Sequence, residues 1–186
     1  MPGADGGPTT ARTAAPTGPL GELRSPDDVA TTVGPLINDA AVARIEAVVD
    51  DAVARGATVL CGRERSGRVM RPTILVDVDE GARICRDEIF GPVMTLSAYD
   101  SIDDAVARVN RSSFGLQVGL FTDSVQTLLK CTEMLDVGAV IHGDAPTFRV
   151  DHMPYGGVKD SGFGREGVPF ALGDYTEPKT LVLRQR

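Results

Sequence analysis

A carboxylate beside an aromatic ring is the first feature of this sequence that can do chemistry. Residues 83–92 read Arg-Ile-Cys-Arg-Asp-Glu-Ile-Phe-Gly-Pro, so Glu88 stands two positions before Phe90. Carboxylate oxygens accept hydrogen bonds and pair with cations. Glu88 is therefore either a salt-bridge partner or an acceptor for the hydroxyl groups of a ribose, and the spacing alone leaves both alternatives open.

A glycine-rich loop holds the second group of candidates. Arg149, His152 and Tyr155 lie in or next to residues 151–167, which contain five glycines. A guanidinium and an imidazole together can bind an anionic substrate group, although a structural hydrogen bond is the favoured interpretation of His152. The sequence has two histidines and no cysteine or histidine at ligand spacing, so we predict no metal site.

The glycines of this loop match two nucleotide-binding patterns only formally. Residues 162–167 (Gly-Phe-Gly-Arg-Glu-Gly) fit G-x-G-x-x-G, but Lys-Asp-Ser precedes them instead of the hydrophobic strand that a dinucleotide fingerprint requires. Gly157 and Gly162 have the P-loop spacing, but Phe163 and Gly164 replace its Lys-Ser/Thr. We therefore interpret the glycines as serving positive φ angles and close backbone packing.

None of the three cysteines is predicted to be a nucleophile, so the sequence offers no catalytic residue. Cys131 lies on an apolar helical face and is expected in the core, and Cys61 is expected to pack at the end of a strand. Cys85 stands between Arg83 and Arg86, whose charges would lower the pKa of a thiol, but no histidine is close in sequence. Cys85 is thus the only candidate for a reactive thiol.

Composition excludes several classes of protein. The 186 residues are 42% hydrophobic and 24% charged, as in globular proteins, with a net charge of −7. That charge argues against a nucleic-acid surface and against attraction to anionic membranes. No apolar run reaches the length of a membrane span, and the N terminus lacks the apolar core of a secretory signal. A sparse, odd set of cysteines indicates a reducing cytoplasm.

The pattern along the chain predicts an α/β fold. Residues 1–30 are rich in Pro, Gly, Thr and Ala and are expected to be disordered or loosely attached, while residues 31–186 form the compact part. Helices are predicted at residues 38–55, 101–110, 124–135 and 164–175, and strands at 58–61, 72–78, 93–99, 115–122, 138–141 and 181–183. This alternation predicts a partly parallel open sheet flanked by helices.

Several segments together resemble the aldehyde dehydrogenase superfamily. They are residues 87–92, 114–116, 119–122, 153–167 and 175–179, in the family's order, and the resemblance covers residues 33–183. It implies that Glu88 accepts hydrogen bonds from the nicotinamide ribose of NAD or NADP and that Phe90 lies against this cofactor. It also implies that Tyr155 lines the aldehyde pocket.

The loop over residues 144–157 looks closest to a lactaldehyde or semialdehyde dehydrogenase-like branch. This implies that Arg149 and His152 contact the substrate. His142 and Gly143 depart from the family, since Ile or Trp followed by Asn is expected there.

Other family motifs are not in this sequence. No Gly-Gln-x-Cys string carries a nucleophile, no Glu-Leu-Gly-Gly string carries a general base, and no nucleotide-binding domain is recognisable. The expectation is a truncated, partial chain, inactive alone, that oxidises a small aldehyde when complemented by an N-terminal dehydrogenase half. The alternative is a non-catalytic pseudoenzyme or assembly module that forms a homo-oligomer through its C-terminal strand, residues 180–183.

Overall fold

A computed structural model describes residue 31 and residues 33–185. They fall into two compact units, the first ending at Ser97 and the second starting at Ala98. The N-terminal segment predicted to be disordered lies outside the described residues. The predicted division of the chain at residues 30 and 31 stays a prediction.

The first unit packs one long helix against a small mixed sheet. Helix α1 (Asp39–Ala54) begins where the Asn38 side chain accepts a hydrogen bond from the Ala41 N–H, 2.8 Å away. Strands β1 (Thr58–Cys61), β4 (Thr73–Val76) and β5 (Val93–Leu96) form a sheet in the order β1-β4-β5, and β2 (Arg65–Ser66) and β3 (Val69–Met70) form a hairpin. Pairing is antiparallel between β1 and β4 and parallel between β4 and β5.

Burial of the apolar face of α1 makes the core of this unit. Its buried residues recur at helical spacing, as the sequence predicts. They pack against apolar residues of β3, β4 and the 3₁₀ turn at Arg83–Cys85; the cluster is Val42, Ile45, Val48, Val49, Ala52, Ala57, Met70, Leu75, Ala82 and Ile84. Ile89 and Val93 pack on its edge, so the core reaches the segment that carries Glu88.

The second unit joins three helices through short strand pairs. Its elements are α2 (Ile102–Asn110), β6 (Phe114–Gly115), β7 (Gln117–Leu120), α3 (Val125–Met134), β8 (Ala139–His142), β9 (Val158–Lys159) and α4 (Val168–Asp174). Strands β7 and β8 are parallel, and β6 and β9 are antiparallel. A small core forms around Val106, Cys131 and Leu135.

The side chain of Ser101 caps α2. The Ser101 hydroxyl accepts a hydrogen bond from the Asp104 N–H at 3.2 Å. The Asp104 carboxylate pairs with Arg108 at 3.0 Å, one helical turn later. Ser101 thus caps the helix, while Asp104 supports it through an i,i+4 ion pair.

The mixed α/β fold with partly parallel pairing is confirmed, and two details of the prediction are wrong. The strand predicted over residues 115–122 divides into β6 and β7, because its two ends pair with different strands. The strand predicted at residues 181–183 does not form, and those side chains are exposed. A strand needs a neighbour to satisfy its backbone groups, and no described strand pairs with this segment. Among the described helices, none is long and apolar enough to cross a bilayer.

Candidate functional site

The turn that carries Glu88 and Phe90 is fixed from the core side. Arg44 of α1 donates hydrogen bonds to the Ile89 carbonyl at 2.6 Å and to the Glu88 carbonyl at 3.4 Å. A Cβ atom at Gly91 would collide with Ile45 Cδ1, so a side chain at this position would require the buried Ile45 side chain to shift. These contacts hold the backbone on both sides of Phe90.

Phe90 itself has a backbone conformation that bulky residues rarely adopt. Its φ angle is +47°, in the left-handed region, and 74% of the residue is exposed. A non-glycine residue pays about 1–2 kcal/mol for this conformation, and such strain clusters at functional sites. The surrounding contacts thus keep an aromatic ring out in solvent at the expense of stability.

Glu88 and Phe90 line an open groove of about 550 Å³ on the first unit. The first turns of α1 form the opposite side, including Asn38, Ala41 and Arg44. Arg83, also in the groove lining, pairs with Asp87 at 3.0 Å. The Glu88 carboxylate has no hydrogen-bond or ion-pair partner among the described residues. No cation among the described residues forms a salt bridge with Glu88.

Three side chains of the second unit form a compact cluster. The Arg149 guanidinium carbon lies 4.4 Å from the centroid of the Tyr155 ring. Its Nη2 donates to Glu166 Oε2 at 2.9 Å. Tyr155 and Glu166 are joined by backbone hydrogen bonds of 3.1 and 2.6 Å in both directions. The ring and the carboxylate that hold Arg149 are therefore fixed to each other through the backbone.

The loop before Arg149 is tied to strand β7. Gln117 Nε2 donates to the Phe148 carbonyl at 3.3 Å, and the Phe148 N–H donates to the Ala145 carbonyl at 3.1 Å. Tyr155 lies on the wall of a pocket of about 450 Å³, whose lining also includes Phe163 and Arg165. These contacts place Tyr155 at a concave surface, which is compatible with the role that the resemblance implies.

The two histidines have different surroundings. His152 is exposed, and its ring has no hydrogen-bond partner among the described residues, so its structural hydrogen bond stays a prediction. His142 lies 2.8 Å from the Thr122 carbonyl through Nε2. Of the predicted candidates in this unit, Arg149 and Tyr155 are in contact, and His152 has no such contact. No group of metal-binding side chains occurs among the described residues.

The glycines of the loop have the backbone roles that the sequence predicts. Gly162 and Gly164 have φ angles of +123° and +74°. A Cβ atom at Gly156 would lie 2.6 Å from the Gly164 carbonyl oxygen, and one at Gly138 would collide with the Gly156 carbonyl. Neither nucleotide-binding pattern is needed to explain these positions.

The three cysteines have different surroundings. Cys131 is 1% exposed and belongs to the core, as predicted, and Cys61 is half-buried. Cys85 is exposed, but the pKa of its thiol is raised by desolvation and by the charges of Glu80 and Asp79. The lowering of this pKa that neighbouring arginines can cause is therefore not found. A thiol with a raised pKa carries little nucleophilic thiolate.

Three residues that complete these sites were missed by sequence reasoning. Arg44 and Gln117 act through contacts with distant carbonyls, and Glu166 was considered only as part of a glycine pattern. The one signal available for Glu166 was a carboxylate in the same loop as Arg149, which could have suggested an ion pair.

Comparison with known proteins identifies the family. The sequence profile described as "Aldehyde dehydrogenase family" matches residues 11–181. The match includes both the groove of Glu88 and the cluster of Arg149, and it begins upstream of residue 33, where the resemblance of the motifs starts. The chain belongs to the aldehyde dehydrogenase family.

Individual relatives agree with this assignment. The chain is 43% identical over 159 residues to the 3-sulfolactaldehyde dehydrogenase of Priestia aryabhattai, which covers 86% of the chain and 33% of that protein. Aldehyde dehydrogenase 21 from Physcomitrella patens, in complex with the reaction product succinate, matches with a TM-score of 0.80 and 44% identity over 83% of the chain and 32% of its own. Glyceraldehyde-3-phosphate dehydrogenase GapN from Methanocaldococcus jannaschii, complexed with NADP, matches with a TM-score of 0.72 and 38% identity. This match covers 76% of the present chain and 31% of the GapN chain. The chain thus spans about a third of the length of these relatives.

The strained φ angle of Phe90 predicts that glycine at this position gives a more stable protein than alanine. We expect Phe90→Gly to unfold in urea with a free energy up to about 1 kcal/mol higher than Phe90→Ala, because alanine keeps the strained φ angle. At Phe121, which is also exposed but has no positive φ, the order should reverse because glycine gains more entropy on unfolding. If Phe90→Ala had a higher free energy of unfolding than Phe90→Gly, the backbone at position 90 would not be strained.

The raised pKa of Cys85 predicts a shifted pH profile of alkylation. The iodoacetamide rate at Cys85, followed by peptide mass spectrometry, should rise at a higher pH than that of free cysteine, because its surroundings disfavour the thiolate. Glu80→Gln removes one of the disfavouring charges and should move the profile to lower pH. Glu64→Gln, a matched change before β2, should leave it in place; an equal shift in both variants would rule out the local cause.

Proposed function

We propose that this chain contributes cofactor-binding and substrate-binding residues to an aldehyde dehydrogenase that oxidises a small anionic aldehyde to a carboxylic acid with NAD or NADP. The cofactor wall is formed by Glu88 and Phe90 of the first unit. The substrate wall is formed by Arg149 and Tyr155 of the second unit, with His152 as a further substrate contact. The observation that carries the proposal is the Arg149 guanidinium, which lies 4.4 Å from the Tyr155 ring centroid while its side chain is 46% exposed.

The groove of Glu88 suits the nicotinamide half of the cofactor. A carboxylate without a partner can accept hydrogen bonds from ribose hydroxyl groups, and an exposed ring beside it can cover an aromatic base. The nicotinamide, when bound, accepts a hydride from the substrate. Glu88 and Phe90 orient that group and do no chemistry themselves. A typical hydrogen bond contributes only about 1 kcal/mol net, so this wall does not hold the cofactor by itself.

Arg149 suits the anionic end of the substrate. A guanidinium offers several N–H donors in a planar fork that matches carboxylate and sulfonate oxygens, and one donor here is used by Glu166. One relative is named for 3-sulfolactaldehyde, and one similar structure holds succinate. Both names describe molecules with a charged group, which supports an aldehyde bearing a sulfonate or a carboxylate as the substrate class of this chain.

The reaction also needs groups that we assign to protein outside these residues. A thiolate must attack the aldehyde, and a base must activate water to hydrolyse the resulting thioester. Cys131 is buried, and the pKa of Cys85 is raised, so neither suits the first role. We therefore propose that an N-terminal dehydrogenase half, in the same polypeptide or in a second one, supplies these groups. The free cysteines suit a cytoplasmic setting.

A second candidate function is non-catalytic assembly. Leu181, Val182 and Leu183 are 80%, 74% and 84% exposed and have no strand partner among the described residues. An extended apolar segment of this kind can add to the edge of another sheet. In this alternative the chain is a pseudoenzyme whose C-terminal strand pairs with a second copy.

The enzymatic proposal predicts activity only in a completed protein. The purified chain should produce no NAD(P)H from any aldehyde, and neither NAD nor NADP should raise its melting temperature. A chimaera in which the chain replaces the matching region of the Priestia relative should oxidise an anionic aldehyde. Arg149→Gln in that chimaera should lower kcat/KM for this aldehyde roughly tenfold, and much less for a neutral aldehyde of the same size.

Two results would contradict this proposal. One is turnover by the chain alone after removal of contaminating dehydrogenases. The other is a folded chimaera that binds NADP and oxidises no aldehyde. The neutral aldehyde is the internal control, because general damage from Arg149→Gln would lower both rates together.

The assembly alternative predicts self-association through the C-terminal segment. Light scattering should give a dimer or larger species for the chain, and Val182→Pro should give a monomer because proline removes a backbone donor and resists pairing. Val182→Thr retains strand propensity and should still associate. A monomeric chain over the full concentration range would eliminate this alternative.

A further inference from the structure

The ion pair of Arg149 is exposed to solvent. Arg149 Nη2 meets Glu166 Oε2 at 2.9 Å, yet the two side chains are 46% and 66% exposed. Exposed ion pairs contribute little to folding, since water screens the charges and the side chains lose freedom. The stability of the loop therefore gives no strong reason for a carboxylate at this position.

The backbone, and not the side chain, of Glu166 closes the loop. Both hydrogen bonds between Tyr155 and Glu166 use main-chain groups. A different side chain at position 166 leaves these bonds intact. The carboxylate is thus free for another task, while the backbone pairing keeps it beside the Tyr155 ring and within reach of Arg149.

The Glu166 carboxylate weakens the attraction of Arg149 for anions. Glu166 offsets the positive charge of the guanidinium and occupies one of its donors. An incoming anion then meets a repelling charge close to the attracting one. The effect on a neutral molecule of the same shape is much smaller, because it carries no net charge to be repelled.

We propose that Glu166 is a specificity-determining residue, the internal counter-ion that sets how strongly the Arg149 site prefers anionic over neutral ligands. This inference rests on the proposed function in one respect, namely that Arg149 binds the anionic group of the substrate. Glu166 touches Arg149 and not the reacting atoms, so it acts on selection of the substrate and not on the chemical step.

The test compares one anion with a neutral isostere. The full chain is titrated with methanesulfonate and with dimethyl sulfone at constant ionic strength, and the arginine side-chain resonances are followed by NMR. Glu166→Gln should bind methanesulfonate roughly fivefold more tightly than the wild-type chain, with little change for dimethyl sulfone. Glu133→Gln on α3 is the matched control, since it removes the same charge elsewhere and should leave the ratio unchanged.

The outcomes separate this inference from the proposed function. If Arg149→Gln abolishes methanesulfonate binding but Glu166→Gln leaves the preference unchanged, the role of Glu166 is overturned and the anion site stands. If methanesulfonate binds Arg149→Gln as well as the wild-type chain, or binds neither the wild type nor Glu166→Gln, the anion site itself falls. Glu166→Ala replaces the Gln variant if that variant does not fold; loss of folding in both would overturn the inference, because it requires a dispensable carboxylate.

Discussion

The backbone pairing of Tyr155 with Glu166 is the constraint on which the position of Arg149 depends. Two main-chain hydrogen bonds, at 3.1 and 2.6 Å, bring the two residues side by side although ten others separate them in sequence. Glycine at position 156 lets the loop fold back closely enough for this pairing, since a Cβ there would lie 2.6 Å from the Gly164 carbonyl oxygen. Arg149 then finds a ring and a carboxylate already in place. Its position follows from the backbone more than from its own ion pair.

In the first unit, too, contacts to the backbone fix the position of an exposed side chain, and helix α1 makes these contacts. Gly91 lies against the buried side chain of Ile45 in α1, and Arg44 on the same helix donates hydrogen bonds to the carbonyls of Glu88 and Ile89. Phe90 is left with a strained φ angle and an exposed ring. In both units a rigid backbone presents a side chain that contributes little to folding, as expected where structure is maintained for binding.

Local sequence signals predicted the structural features that depend on residues close together in sequence. The bounds of α1 followed from its apolar spacing, and the burial of Cys131 followed from the helical face on which it lies. These two predictions succeeded because helical periodicity acts over a few residues. The family motifs pointed to Glu88, Phe90, Arg149 and Tyr155, and the roles of these four residues stay predictions.

Local sequence signals could not predict contacts between residues that are distant in sequence. The bonds from Arg44 to Ile89 and from Gln117 to Phe148 join side chains to carbonyls more than thirty positions away. The pKa of the Cys85 thiol is raised by desolvation and by the charges of Glu80 and Asp79, because three-dimensional surroundings decide a pKa. The segment at residues 181–183 has the composition of a strand, but pairing depends on a partner that composition does not reveal.

Arg149 lies over the face of the Tyr155 ring, so ring-current shifts in NMR spectra report on this contact. Protons of the Arg149 side chain should resonate upfield of their random-coil positions and show nuclear Overhauser contacts to the Tyr155 ring. Tyr155→Leu should return them to random-coil values while the backbone contacts between positions 155 and 166 persist. Random-coil shifts for Arg149 in the wild-type chain, with a folded loop, would contradict the account.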